Sequence, residues 1–250
     1  LSRTISNYGR IVYSTTGLSE LTLLAGGALN IESGGVLELA TDGLLSGYGY
    51  TNSAGQITNR GTIWKTGGTG TSTLGSSSYT GILNDGGTLT SSSGTINLYK
   101  SSFSGIGAIT AGAVNLAGGT GTFAGTLTGA GTLKLTGATL TVDGTASISN
   151  YAQSSGTLNG SGTLTATNTF NWTGGTMSGT GTTKLAAGGT GSLSGSNYQT
   201  WRNDGSSGIF GFGGKAASSG TNYSAMSNAA SDQLDARYLI DWRSEQRGIY

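Results

Sequence analysis

Apolar and polar residues alternate along most of this chain, but only in short bursts. In Gly125-Thr126-Leu127-Thr128 a glycine opens a run in which a leucine stands between two threonines. Gly131-Thr132-Leu133-Lys134-Leu135, Gly156-Thr157-Leu158-Asn159 and Gly162-Thr163-Leu164-Thr165 repeat the plan. A period of two is the strand signature, and the glycines break it at each end. Such strands are too short for a conventional sandwich. Their return at steps of roughly six to nine residues, three to a coil of roughly 20–25, predicts a repeat stack instead. The inward set runs from Leu89 through Leu133, Leu135, Leu140, Leu158, Leu164, Phe170 and Trp172 to Leu193. The expected fold is all-β: a parallel β-solenoid of about ten short coils with three flat faces, a rod of roughly 50 Å at the ~4.8 Å strand spacing.

Three regions follow from the same pattern. Residues 1–55 read as irregular N-terminal coils. Within them Val36, Glu38 and Ala40 alternate cleanly with Leu37, Leu39 and Thr41. Residues 56–214 read as the regular solenoid. Asn59-x-Gly61 recurs as Asn84-x-Gly86, Asn7-x-Gly9 and Asn203-x-Gly205. Both residue types accept positive φ, so the pair suits a corner, and asparagine amides can stack from coil to coil. Residues 215–250 carry more charge and less glycine and read as a capping or docking segment. A helix is expected over 231–248, with Ser231 as N-cap, Asp232 and Asp235 at the positive end of the dipole, and Arg243 and Arg247 at the other. Leu234, Tyr238 and Trp242 then form an apolar stripe at i, i+4, i+8.

Composition narrows the function classes. The chain has 250 residues, 48 of them glycine, with no Pro, Cys or His and only 9% charged residues, against about 25% charged in ordinary domains. Glycine without a triplet repeat or proline is not collagen. Branched and aromatic residues at patterned positions argue against a flexible linker. A net charge of +1 with scattered basic residues gives no field for nucleic acid. Without cysteine there is no disulfide framework or thiolate site. No apolar run approaches the ~20 residues of a membrane span. Leu1-Ser2-Arg3-Thr4 carries no signal peptide and reads as the start of a processed protein or a fragment.

Catalytic chemistry is poorly represented. Asp85, Asp143 and Asp204 lie far apart, while stacked coils could align some of Glu20, Glu32, Glu38 and Asp42; a solvated face explains these equally well. Without histidine there is no triad or imidazole metal site. Gly118-Gly119-Thr120-Gly121-Thr122 has no acidic ligand for calcium, and no glycine string carries a Walker lysine. The expectation is a chain with no enzyme activity and no cofactor. Thr-x-Thr pairs at Thr88/Thr90, Thr126/Thr128, Thr139/Thr141, Thr163/Thr165 and Thr180/Thr182 suggest an ice-binding array, but their spacing along the chain is irregular. Outward aromatics, Trp64, Tyr99, Tyr48 and Tyr50, are candidates for stacking on carbohydrate.

Three stretches carry a resemblance: Asn59-Arg60-Gly61-Thr62-Ile63-Trp64-Lys65-Thr66-Gly67-Gly68-Thr69-Gly70-Thr71-Ser72, Ile82-Leu83-Asn84-Asp85-Gly86-Gly87-Thr88-Leu89, and Phe170-Asn171-Trp172-Thr173-Gly174-Gly175-Thr176-Met177-Ser178-Gly179. They resemble the Gly/Thr/Ser-rich repeats of large bacterial surface proteins, the autotransporter passengers and filamentous-haemagglutinin-like adhesins. The resemblance covers roughly 57–195. It implies export, a parallel β-solenoid, and work in adhesion, surface layers or extracellular filaments. The expected role is a structural subunit joined to copies of itself head-to-tail through the solenoid ends and the stripe Leu234, Tyr238, Trp242. The alternative is a surface adhesin that binds carbohydrate. Either role places the protein outside the cell or on its surface.

Overall fold

The computed structural model describes residues 3–14, 20–24, 26–47, 55–75, 82–99, 101–104 and 108–194, and the backbone of strands 199–203, 209–212, 215–219 and 225–228. Tyr48, Tyr50 and the expected helix 231–248 with Leu234, Tyr238 and Trp242 lie outside the described residues.

The chain winds as a parallel β-solenoid with three faces. On the first face Thr4–Asn7 pairs with Ala28–Ile31, which pairs with Gln56–Asn59 and then Ile82–Asn84. The ladder continues through Ser101–Phe103, Gly119–Phe123, residues 139–142, residues 157–159, Gly175–Met177, Gln199–Asn203 and Ala225–Asn228. All ten successive pairings are parallel, so the described strands span ten coils, as the alternation predicts.

The second face stacks Arg10–Tyr13, Val36–Leu39, Thr62–Lys65 and Thr88–Ser91. It resumes from residue 126 through 145–148 and 163–166 to Thr182–Leu185 and Ile209–Phe212. The third runs from Glu20–Leu23 to Lys215–Ser219. The first block therefore obeys the same three-faced plan as the rest. The ladders also run on past 214, into the segment that composition sets apart.

Coil length changes along the rod. Thr4 pairs with Ala28 and Ala28 with Gln56, steps of 24 and 28 residues. In the middle the step tightens: Asn150 bonds Asn168 and Thr169, 18 and 19 residues on. Strands there run through the corners without a break, as in Thr126–Val142 and Thr145–Asn159.

Inside the rod sits one column of apolar side chains. Leu133, Leu135, Leu140, Leu158, Leu164, Phe170 and Trp172 are all buried, and Leu193 packs partly buried against them. Leu158 stands in register between Leu140 and Met177. Each such side chain contributes roughly 1.5–3 kcal/mol on full burial. A single coil has no apolar layer above or below it, so this gain exists only in the stack.

The Asn-x-Gly corners behave as a stacking device. Asn59 Nδ2 donates to Asn84 Oδ1 at 2.6 Å across one coil of 25 residues. Asn7 Nδ2 reaches Val36 O at 2.9 Å. The glycines serve differently from the expectation of positive φ throughout. Gly86 does take φ +73°, but Gly61 is needed because a Cβ there would collide with the carbonyls of Gly35 and Glu32.

Leu158→Ala should cost about 2–5 kcal/mol by cavity formation, and Leu158→Asp should prevent folding, because its charge would have no partner. Thermal melts followed by circular dichroism check both. An unchanged melt for Leu158→Asp would show the inward register to be wrong.

Candidate functional site

The second face of the early coils gathers most of the reactive side chains. Period two in Thr62-Ile63-Trp64-Lys65 turns Ile63 and Lys65 inward and Trp64 outward. Trp64 is 37% exposed, while Ile63 and Lys65 are fully buried. The indole N–H donates to Ser92 Oγ at 2.8 Å. Glu38, the residue under Trp64 in the ladder, accepts from Thr66 Oγ1 at 2.7 Å and pairs with Arg10. Thr90, the residue above, shares a hydroxyl contact with Thr110 at 3.2 Å. The indole face is open, but the polar groups around it are already bonded to one another. Tyr99, the other described aromatic of the expected set, is half-buried at a corner. Its backbone N–H donates to Leu74 O and its carbonyl accepts from Ser101 Oγ. Trp64 and Tyr99 thus lie on different parts of the coil and form no shared platform.

Lys65 is the residue that sequence reading missed. It stands in register between Leu39 and Ser91, among core positions. Its ammonium donates to Asp42 Oδ1 at 2.6 Å, Gly67 O at 2.8 Å and Ser72 Oγ at 3.1 Å. Those three acceptors use all its protons. Asp42 also accepts from Gly70 N at 3.0 Å, and Ser72 Oγ passes its own proton to Thr41 O. The signal was available: alternation from the buried Ile63 puts Lys65 on the inner side.

Each described carboxylate of this region is held by a cation rather than by another carboxylate. Glu32 and Asp85 flank Arg60, at 3.5 and 2.8 Å. Glu38 and Asp42 each have their own cation. Hydrogen bonds from Thr66 and then Arg10 hold the Glu38 carboxyl below its usual range. The Lys65 hydrogen bond does the same for Asp42. Both stay ionised, the reverse of what a general acid near neutrality requires. The side chain of Glu20 is outside the described set. Among the described residues no group of three or more Asp, Glu, His or Cys could hold a metal ion. A cavity beside Val142, Leu158, Leu164 and Met177 has a volume of about 20 Å³, room for a single water. No described helix is long and apolar enough to cross a membrane.

A deeper polar pair lies in the tight coils. Tyr151 is fully buried and stacks on Phe170 with centroids 5.5 Å apart. Burial pushes its phenol far above the usual range, so it acts as a donor, to Gln153 Oε1 at 2.8 Å. Gln153 Nε2 then donates to Thr176 O at 3.1 Å, tying one coil to the next.

The threonines are more ordered than their spacing along the chain suggests. On the first face Thr120, Thr139, Thr157, Thr176 and Thr200 stack in one column. On the second, Thr126, Thr145, Thr163 and Thr182 make another. The spacing looks irregular because Thr139/Thr141 lies on the first face, while Thr88/Thr90, Thr126/Thr128 and Thr163/Thr165 lie on the second. β-branched strand residues of this kind also pack well along a ladder, so the columns serve the fold directly.

No protein family matches the chain, and no curated protein or solved structure does so either.

Acid should weaken the early coils. A carboxyl whose pKa is depressed by folding adds stability above its unfolded value, and loses it as pH falls through the folded value. With ordinary values of 3.8 for Asp42 and 4.5 for Glu38, the melting temperature should be level above about pH 5 and fall below about pH 4. Asp42→Ala should flatten that fall and cost roughly 2–3 kcal/mol at neutral pH, less than a fully enclosed pair because Asp42 is half open to water. Lys65→Met added to Asp42→Ala should recover part of that loss, since the pair is then replaced as a whole and no buried charge is left without a partner. Melts of the variants across pH check the set.

Proposed function

We propose that the chain is a structural subunit of an extracellular filament or surface layer, joined head-to-tail to further copies through its solenoid ends and its C-terminal segment. The observation that carries this reading is the state of the first coil. Thr4–Asn7, Arg10–Tyr13 and Glu20–Leu23 each pair with one later strand and with nothing on their other edge among the described residues. Ile5 stands over Leu29 and Ile11 over Leu37, both core positions. Yet Ile5 is 40% exposed, and Ile11 and Leu21 are only partly covered. Such an edge with an apolar floor takes a further parallel coil, whether from the same chain or from another copy, and in the filament that coil comes from another copy. A contact of one end with the other is heterologous, and propagates into a fibre when it does not close a ring. The sparse charge of the lateral faces offers little resistance to close packing. Export and a cell-surface setting rest on the resemblance of the glycine-threonine repeats.

The second reading, a surface adhesin that takes carbohydrate, is favoured by one observation, the open indole face of Trp64. It is the weaker reading because the hydrogen-bonding groups around Trp64 are already engaged.

Electron microscopy of the purified protein tests the proposal. Filaments are expected, and they should be lost with a folded β-rich monomer retained in Ile5→Asp/Ile11→Asp or on deletion of residues 224–250. Faster fibre growth after the deletion would show that this segment is a protective cap and would contradict its role in docking. Dispersed monomers with glycan binding that is lost in Trp64→Ala would favour the adhesin.

A further inference from the structure

Asn159-Gly160 is the chain's single Asn-Gly pair. It lies where residues 157–159, a rung of the first face, end at a corner. Two features set it apart from the other described asparagines. First, the Gly160 N–H is turned onto the neighbouring side chain, donating to Asn159 Oδ1 at 2.7 Å. The Val142 carbonyl of the coil below takes Gly162 N instead. Second, Gly160 has φ +117° and no side chain to shield its nitrogen. Both residues are half-buried, so water and hydroxide reach the pair. Elsewhere the amides are held or screened. Asn150 Oδ1 accepts from Asn168 and Thr169, Asn59 and Asn84 are buried in the corner stack, and Asn171 is followed by Trp172.

We propose that Asn159-Gly160 is a site of spontaneous covalent modification, presented by the fold in a ring-closing geometry. Hydroxide removes the Gly160 amide proton, and a turn about the Asn159 Cα–Cβ bond brings the carbonyl carbon to the nitrogen. The new N–C bond forms as the C–NH2 bond breaks. Ammonia leaves with a proton from water, which regenerates hydroxide, and a succinimide remains. Water then opens the ring at either carbonyl, giving aspartate or isoaspartate; no oxidant or cofactor takes part. The products do not fit as asparagine does. Isoaspartate inserts a carbon into the main chain at a corner where even a Cβ on Gly160 would run into the backbone of Val142. Aspartate adds a charge two residues from Ser161, which already bonds Asp143. Modification therefore loosens the rod in its tight middle coils.

Incubation of the folded protein in heavy-oxygen water at mildly alkaline pH, followed by peptide mapping, tests this. Label should enter position 159 at least an order of magnitude faster than positions 150 and 171, at a rate proportional to hydroxide. It should vanish in Asn159→Gln, whose ring closure needs a six-membered imide, and the labelled fraction should melt at a lower temperature. Label at 159 no faster than at 150 or 171 would overturn the proposal. So would a folded-state rate an order of magnitude below that of the urea-unfolded chain.

Discussion

A coil of 18 or 19 residues cannot satisfy its own backbone. Its three strands point along three different faces, so none has a hairpin partner within the turn. Every N–H and C=O of a strand must find the coil before or after it. Stacking is therefore the condition for any secondary structure here. The remaining features follow: apolar side chains pile into one column, corners must be thin enough for the next coil to sit on them, and identical residue types line up by register. Glycine and threonine dominate because one permits close approach at the corners and the other suits a strand whose outer side meets its like every coil.

The polar interior shows the same constraint at work on side chains. Asn59 and Asn84 bridge one coil to the next, and Gln153 does so on another face. The stack is incomplete where the sequence breaks register. Ile31 stands below Asn59 in the ladder, and Asn59 Oδ1 is buried without a hydrogen-bond partner. Lys65 is accommodated differently, by a cage whose members come from the corner and strand beside it, with Asp42 contributed by the coil below. The tight middle coils have no such charge inside. Their interior polar link, Tyr151 to Gln153, is neutral.

Much of this was legible in the sequence because alternation is a local signal. Leu133, Leu158 and Leu164 declare their inward side by each following a Gly-Thr step in the same register. The outward placement of Trp64 follows from the same count. What was not legible is the alignment of one coil with another. Variable corner insertions in the early coils hide which residue stacks on which, so the neighbours of Glu38, and the cage around Lys65, emerge only once register is known. The threonine columns were obscured for the same reason, since Thr139/Thr141 belongs to another face than Thr126/Thr128 and Thr163/Thr165. The surface on which a partner would act is harder still. Exposed edges and apolar floors are properties of an end, and a repeating pattern gives no sign of them.

Parallel register in the middle coils is the condition on which the whole stack depends. The chain has no native cysteine, so pairs introduced by substitution report register directly. Thr145 and Thr163 are ladder partners, at a separation of about 4.8 Å between strands, within the span a disulfide bridges. Oxidation of the Thr145→Cys/Thr163→Cys variant should cross-link rapidly and completely within one chain. Thr145→Cys/Thr169→Cys, which places the second thiol on another face, should not. Equal cross-linking of the two pairs, or none in the first, would contradict the stacked three-faced solenoid.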